Sequence, residues 1–125
     1  MDEERAEIAA VIKDYLDGTV FADEAKLRRA MHPRWHCVGH FSGGLEWSSL
    51  EEYIAFCRKA RPAAPDPDYF WEIAALEVVG DTAQARVLDD YLGIRFTDLL
   101  TLLKHEGRWQ IVGKVFYAHP KKAAA

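Results

Sequence analysis

The second half of this chain constrains its fold most. From residue 70 onward, four runs read as β-strands, at residues 70–79, 83–93, 96–106 and 109–119. Gly80-Asp81 and Glu106-Gly107 separate two of the pairs, each short enough for a tight hairpin turn. The first half reads differently. Ile8, Val11, Ile12, Tyr15 and Leu16 recur at three- and four-residue steps among charged residues, the mark of an amphipathic helix, with Gly18 as its expected stop. Asp23 is placed to cap a second, shorter helix over residues 25–31, ended by Pro33. Residues 34–41 look extended, and Ser42-Gly43-Gly44 is a turn. Ser48 and Glu51 have capping-box spacing and announce a third helix with Leu50, Tyr53, Ile54 and Cys57 on its apolar stripe. Residues 61–67 hold three prolines and form a loop. Helix, helix, strand, helix and then an antiparallel meander is an α+β pattern, with one domain over residues 1–125.

The last hairpin can be laid out residue by residue. A two-residue loop at Glu106-Gly107 sets Lys104 opposite Trp109 and Leu102 opposite Ile111. Extended without interruption, the same register sets Leu100 opposite Gly113 and Asp98 opposite Val115. One face then carries Phe96, Asp98, Leu100, Leu102, Trp109, Ile111, Val115 and Tyr117. The other carries Leu99, Leu103, Val112, Phe116 and Lys114. Both faces are largely apolar, whereas an antiparallel sheet with one wet face alternates cleanly. The second face is therefore expected to be covered, most simply by another copy of the chain, sheet on sheet. Asp98 is the odd residue among apolar neighbours. Burying a carboxylate there costs free energy unless it is paired or protonated, and that marks a candidate functional group. The plainer alternative is that Asp98 caps a turn or meets an arginine near a strand end. Asp89 and Asp90 lie on opposite faces of one strand, so at most one of them points inward.

Composition narrows the function classes. The net charge is −4, and the basic runs Lys26-Leu27-Arg28-Arg29 and Lys121-Lys122 are short, which argues against nucleic acid. Met1-Asp2-Glu3-Glu4-Arg5 is acidic and unlike a signal peptide, and no apolar run is long enough for a membrane span. A cytoplasmic location follows as the expectation, with Cys37 and Cys57 as free, buried thiols rather than nucleophiles. His32, His36 and His40 recur every four residues, but Pro33 and Gly39 oppose a helix there. On a strand, His36 and His40 stand about 14 Å apart, too far for one metal ion. No metal or cofactor is expected. Aromatic residues are plentiful, and an aromatic-lined cavity with a few polar groups is the usual form of a small-ligand site. Tyr15, Trp35, Tyr53, Trp71, Tyr91, Asp98 and Trp109 are the expected lining.

Gly80-Asp81-Thr82-Ala83, the run from Phe96 to Lys104 and the run from Gly107 to Phe116 together resemble the nuclear transport factor 2-like superfamily, in its putative lumazine-binding, SnoaL-like branch. Tyr15-Leu16-Asp17-Gly18, Ala25 to Ala30 and Met31-His32-Pro33 sit where that family has its first two helices and the step into the first strand. The resemblance implies a cone-shaped, curved antiparallel sheet wrapped around three N-terminal helices, as in cystatin-like folds. It implies a cavity between sheet and helices, and dimerisation through the sheet. The superfamily hosts isomerases, cyclases, dehydratases and non-catalytic binding modules, so fold alone does not select among them. The leading expectation is a pocket for a small apolar or aromatic ligand. The alternatives are an acid–base enzyme and a protein-interaction module. For the enzyme, the resemblance implies a tyrosine and acids deep in the cavity: Asp98 as proton carrier, with Tyr15 or His32 assisting, and His36 as a further option.

Overall fold

A computed structural model describes residues 2–120 of the chain. Lys121, Lys122 and the terminal alanines lie outside the described residues. Helix α1 spans Asp2–Val20 and α2 Glu24–Ala30. Strands β1 (Met31–Phe41) and β2 (Gly44–Ser49) follow, then α3 (Leu50–Ala60) and the strands β3 (Trp71–Val79), β4 (Thr82–Tyr91), β5 (Ile94–His105) and β6 (Arg108–Ala118). The six strands form one curved, unclosed sheet in the order β2-β1-β6-β5-β4-β3. Every neighbouring pair is antiparallel except β1 and β6, which run parallel. This is the α+β cone expected from the sequence.

Three boundaries differ from expectation, each for a local reason. Gly18 does not stop α1. It lets α1 and α2 approach, because a Cβ there would lie 2.7 Å from the Leu27 side chain. The helix ends two residues later in a Schellman motif: Ala22 takes a φ of 52°, Asp23 N–H donates to the Gly18 carbonyl at 2.9 Å and Ala22 N–H to that of Thr19. The capping box is shifted by one residue. Ser49 accepts from Glu52 N–H at 3.2 Å while the Glu52 carboxylate accepts from Ser49 N–H at 2.9 Å. Ser48 instead belongs to β2 and donates to Glu46 at 2.8 Å. The whole of β2 was absent from the sequence expectation; it is short, and its alternation is inverted, with Leu45 and Trp47 exposed and Ser48 buried.

The core lies between the concave face of the sheet and the helices. Ile8, Ile12, Tyr15 and Leu16 of α1 pack with Leu27, Leu50, Ile54 and Cys57 against Trp35, Val87, Leu100, Leu102, Trp109 and Ile111 of the strands. Burying side chains of this size removes most of their apolar surface from water, at about 25 cal/mol per Å². The prediction for the last hairpin holds near the turn and fails beyond it. Lys104 pairs with Trp109 and Leu102 with Ile111, but the next pair is Thr101 with Gly113, so Val112 is an extra residue in β6. This β-bulge turns the remainder of β6 over. Val115 and Tyr117, placed on the inner face by unbroken register, are outside and exposed. Lys114, placed outside, is inside and buried.

Candidate functional site

The bulge creates the site. Beyond it, Leu100 of β5 pairs with Lys114 and Asp98 with Phe116, so the lysine side chain reaches inward beside Asp98. Lys114 Nζ donates to the Tyr15 hydroxyl at 2.7 Å, and that hydroxyl donates to Asp98 Oδ2 at 2.9 Å. The ammonium lies 4.0 Å from Asp98 Oδ1. Tyr15 comes from α1, Asp98 from β5 and Lys114 from β6, so only the closed fold assembles the relay. Thr19, one turn on from Tyr15, donates to the Tyr15 carbonyl at 2.9 Å or shares its proton with the Tyr53 hydroxyl at 2.7 Å. Tyr53 stacks on Tyr15 with centroids 6.3 Å apart, fixing the phenol that faces Asp98.

Asp89 of β4 is the second buried acid. It pairs in register with Phe96, two residues from Asp98, so the two carboxyls are diagonal neighbours on the concave face. Burial, and then the charge on Asp98, push Asp89 up to about 9. At neutral pH, Asp89 therefore keeps its proton. Asp90 points the other way and pairs with Arg95. Burial works against charge on Lys114, but Asp98 above all, with Cys37 and Asp89 behind it, more than offsets this, so its pKa is raised and it stays an ammonium. Burial and the Asp98 charge push the Tyr15 phenol well up, which keeps it a donor.

These groups line a narrow hollow with about 50 Å³ of free space, smaller than the roughly 300–1,000 Å³ of a drug-sized ligand's site. Asp98, 1% exposed, is at its floor, and Phe56, 38% exposed, marks its rim. Phe41, Phe56, Phe96 and Phe116 form a chain of edge and tilted contacts with centroids 5.9–6.2 Å apart. Glu46 and Ser48 line the hollow as well, so its wall combines phenylalanines with a further acid above the ionic floor.

A family model described as "Putative lumazine-binding" matches residues 3–117. The chain belongs to this family. Among solved structures, this putative lumazine-binding family member is similar to a nuclear transport factor 2-like protein of unknown function from Silicibacter pomeroyi DSS-3. The two are 37% identical, with 94% of this chain and 98% of the other covered at a TM-score of 0.89. A second such protein of unknown function, from Shewanella baltica OS155, is 30% identical over 95% of this chain and 96% of its own, with a TM-score of 0.85. A ketosteroid isomerase-like protein from Erwinia carotovora atroseptica shares the fold at 18% identity and a TM-score of 0.71, with 97% and 100% coverage. A curated relative, "Aldolase FrzH" of Cladobotryum sp, is 21% identical over 112 residues, 86% of this chain and 85% of its own. Family, fold and hollow together support a ligand-binding domain.

The residues picked from the sequence of this family member divide into two groups. Tyr15, Tyr53, Tyr91 and Asp98 line the cavity. Trp35, Trp71 and Trp109 do not. Trp35 is fully buried behind Tyr53, edge-on at 5.1 Å. Trp109 is buried in the core under α1 and donates its indole N–H to Glu4. Trp71 is half-buried and lies 5.7 Å from Lys13 Nζ at the side of α1. In each case the apolar body was the better signal: bulk that fills a core does not also leave a hollow. His32 is also away from the cavity. Its Nδ1 accepts from Arg34 N–H at 3.0 Å at the entry to β1, and His36 and His40 are exposed on the same strand.

Lys114, Asp89, Thr19, Ser48 and the phenylalanines at the mouth were not anticipated. Lys114 was hidden by the bulge. Asp89 had been narrowed to one of two adjacent acids, and burial beside Asp98 selects it. Cys37 lines the cavity too, but burial pushes its thiol up, as it does Cys57, to about 11, so neither is a ready thiolate. Among the described residues no three His, Cys, Asp or Glu side chains form a metal-binding group, and no helix is long and apolar enough to cross a membrane.

Proposed function

We propose that this domain takes a small, largely apolar or aromatic molecule into the cavity and performs acid–base chemistry on it, of the isomerisation, cyclisation or dehydration kind. One observation carries the reading. Asp98 lines the cavity, buried and held on one oxygen by Tyr15, with the protonated Asp89 close enough to hydrogen-bond to its carboxylate. A carboxylate so placed is a general base with its orientation already set. A pocket for binding alone has no need of a charge that costs this much to bury. The names of two similar proteins, an aldolase and a ketosteroid isomerase-like protein, support the same class of chemistry. The reading calls for no cofactor. The two free buried thiols fit a reducing, cytoplasmic setting.

The test needs no knowledge of the natural substrate. 2-Tetralone is a small cyclic ketone fused to an aromatic ring, with acidic α protons. The protein is expected to raise its melting midpoint with 2-tetralone and to catalyse deuterium exchange at the α carbon in D₂O, read by proton NMR. Binding without exchange above buffer leaves a binding pocket and removes the enzyme.

We also propose that the convex sheet face pairs with a second copy of the chain. Leu99 and Val115 oppose each other across β5 and β6 and are 50% and 54% exposed, with Tyr117 next to them at 56%. Light scattering at micromolar concentration is expected to give a dimer, and Leu99→Glu with Val115→Glu a monomer that keeps its melting transition. A wild-type monomer removes this interface.

A further inference from the structure

One acid of the hollow has no cation of its own. Four acidic or basic side chains line the space: Glu46, Asp89, Asp98 and Lys114. Lys114 and Asp98 form an ion pair at 4.0 Å, and Asp89, pushed up to about 9, keeps its proton. Glu46 remains. Its Oε1 accepts from the Ser48 hydroxyl at 2.8 Å, and Ser48 is 9% exposed, so a buried donor on the same face of β2 holds the carboxylate in place. Among the described residues Glu46 pairs with no lysine, arginine or histidine. Register shows what lies beside it. Glu46 pairs with Gly39, Gly39 with Phe116 and Phe116 with Asp98, one row across β2, β1, β6 and β5. Three strand spacings, about 14 Å, separate the two acids along the sheet. Gly39 lets the Phe116 ring fill the middle of the row, because a Cβ there would lie 2.6 Å from Phe116 Cε1. The row is thus an aromatic ring with an ion pair at one end and a lone carboxylate at the other. Phe41 and Phe56 line the same hollow.

We propose that Glu46, Ser48 and the phenylalanines form a cation seat, so that the ligand carries a protonated amine on its small apolar or aromatic body. The inference rests on the hollow being a ligand pocket and deepens that reading; it does not depend on proton transfer at Asp98. Three effects select the charge of the ligand. Any molecule that enters strips water from the Glu46 carboxylate, and a neutral, apolar one leaves that charge without a partner, at a cost in free energy. An ammonium restores the lost bonds with a charge-assisted hydrogen bond, about twice as strong as a neutral one. Aromatic rings around the seat add to this, since the negative face of a ring attracts a cation, most of all where water is excluded. An anionic ligand meets repulsion from Glu46 instead. The body of the ligand lies over Phe116, which sets the amine at the end of the row away from the Lys114 ammonium, whose own charge Asp98 offsets. The free space of about 50 Å³ keeps that body small.

The test uses probes of nearly one shape and different charge. Benzylamine is a cation at neutral pH, benzyl alcohol is uncharged and benzoate is an anion. By NMR titration at neutral pH, the wild-type protein is expected to bind benzylamine at least about tenfold more tightly than benzyl alcohol, the effect of about one charge-assisted hydrogen bond, and benzoate most weakly. Glu46→Gln keeps the shape of the side chain and an oxygen for Ser48. It is expected to bring benzylamine to the level of benzyl alcohol, whose own affinity is unchanged, which shows the pocket intact. Equal wild-type affinity for the two overturns the assignment, as does a Glu46→Gln variant that keeps the full preference. If benzyl alcohol binds and benzylamine binds no better, only the cation seat falls. If no probe binds, the pocket reading falls with it. Nuclear Overhauser contacts from the benzylamine methylene to Phe116 and Glu46 are expected in the wild-type complex, and contacts to Tyr15 alone overturn the placement. That measurement decides the matter even if the glutamine variant does not fold.

Discussion

Asp98→Asn is expected to slow α-proton exchange from 2-tetralone by about a hundred- to ten-thousandfold, the usual contribution of a positioned general base. Asparagine keeps the shape and an oxygen for the Tyr15 hydroxyl, so the loss is chemical rather than steric. The variant should also fold, because the protein holds a replacement charge. Asp89 is kept protonated first by burial and then by the charge on Asp98. Removing that charge lowers the Asp89 pKa, and the carboxyl can ionise to balance Lys114. The double variant Asp89→Asn with Asp98→Asn has no such reserve. It leaves the buried ammonium without a counter-charge and is expected to lose about 3–5 kcal/mol by chemical denaturation. Exchange in Asp98→Asn within threefold of wild type, with loss instead in Asp89→Asn, assigns the base to Asp89 and refutes the role given to Asp98.

Asp89 also makes a large prediction about stability and pH. Its carboxyl titrates at about 9 in the folded protein against 3.8 for the unperturbed group. Between those values the folded state retains a proton that the unfolded chain has released. Stability therefore falls as pH rises through this window, by up to about 1.4 kcal/mol per pH unit from this one group. Other carboxylates do not mask the slope. Asp17, despite partial desolvation, is lowered by its bonds to Lys13 and Tyr69, so its effect is confined to more acid pH. Lys114 and Cys57 act at the alkaline end of the range or beyond it. Asp89→Asn is expected to remove the slope between pH 5 and pH 8 and to raise the melting midpoint more at the higher pH. Parallel melting curves for the two proteins across that range would show that Asp89 is already ionised in the native state.

Sequence patterning located most of the secondary structure, and the residues say why. Ile8, Ile12, Tyr15 and Leu16 share one helical face because the period of α1 is fixed by its own backbone bonds. Glu106-Gly107 reads as a turn because a tight hairpin needs two residues of positive φ, and they have φ values of 53° and 77°. Leu92-Gly93 is the same turn at 55° and 75°, less visible because leucine seldom takes that conformation. The candidate site was half legible. Tyr15, Tyr53, Tyr91 and Asp98 stood out as polar groups within apolar patterns, but the three tryptophans chosen alongside them fill the core instead.

The sequence alone determined the three helices, five of the six strands, the α+β class and the anomaly of Asp98, because each depends on local periodicity and on the cost of burying charge. Only the tertiary structure decided which side of β6 holds Lys114. A strand's register belongs to the pair, and one extra residue at Val112, accommodated opposite β5, sends every later side chain to the other face. Long-range contact likewise chose Asp89 over Asp90 and brought Tyr15 of α1 within hydrogen-bonding distance of Asp98, 83 residues away along the chain.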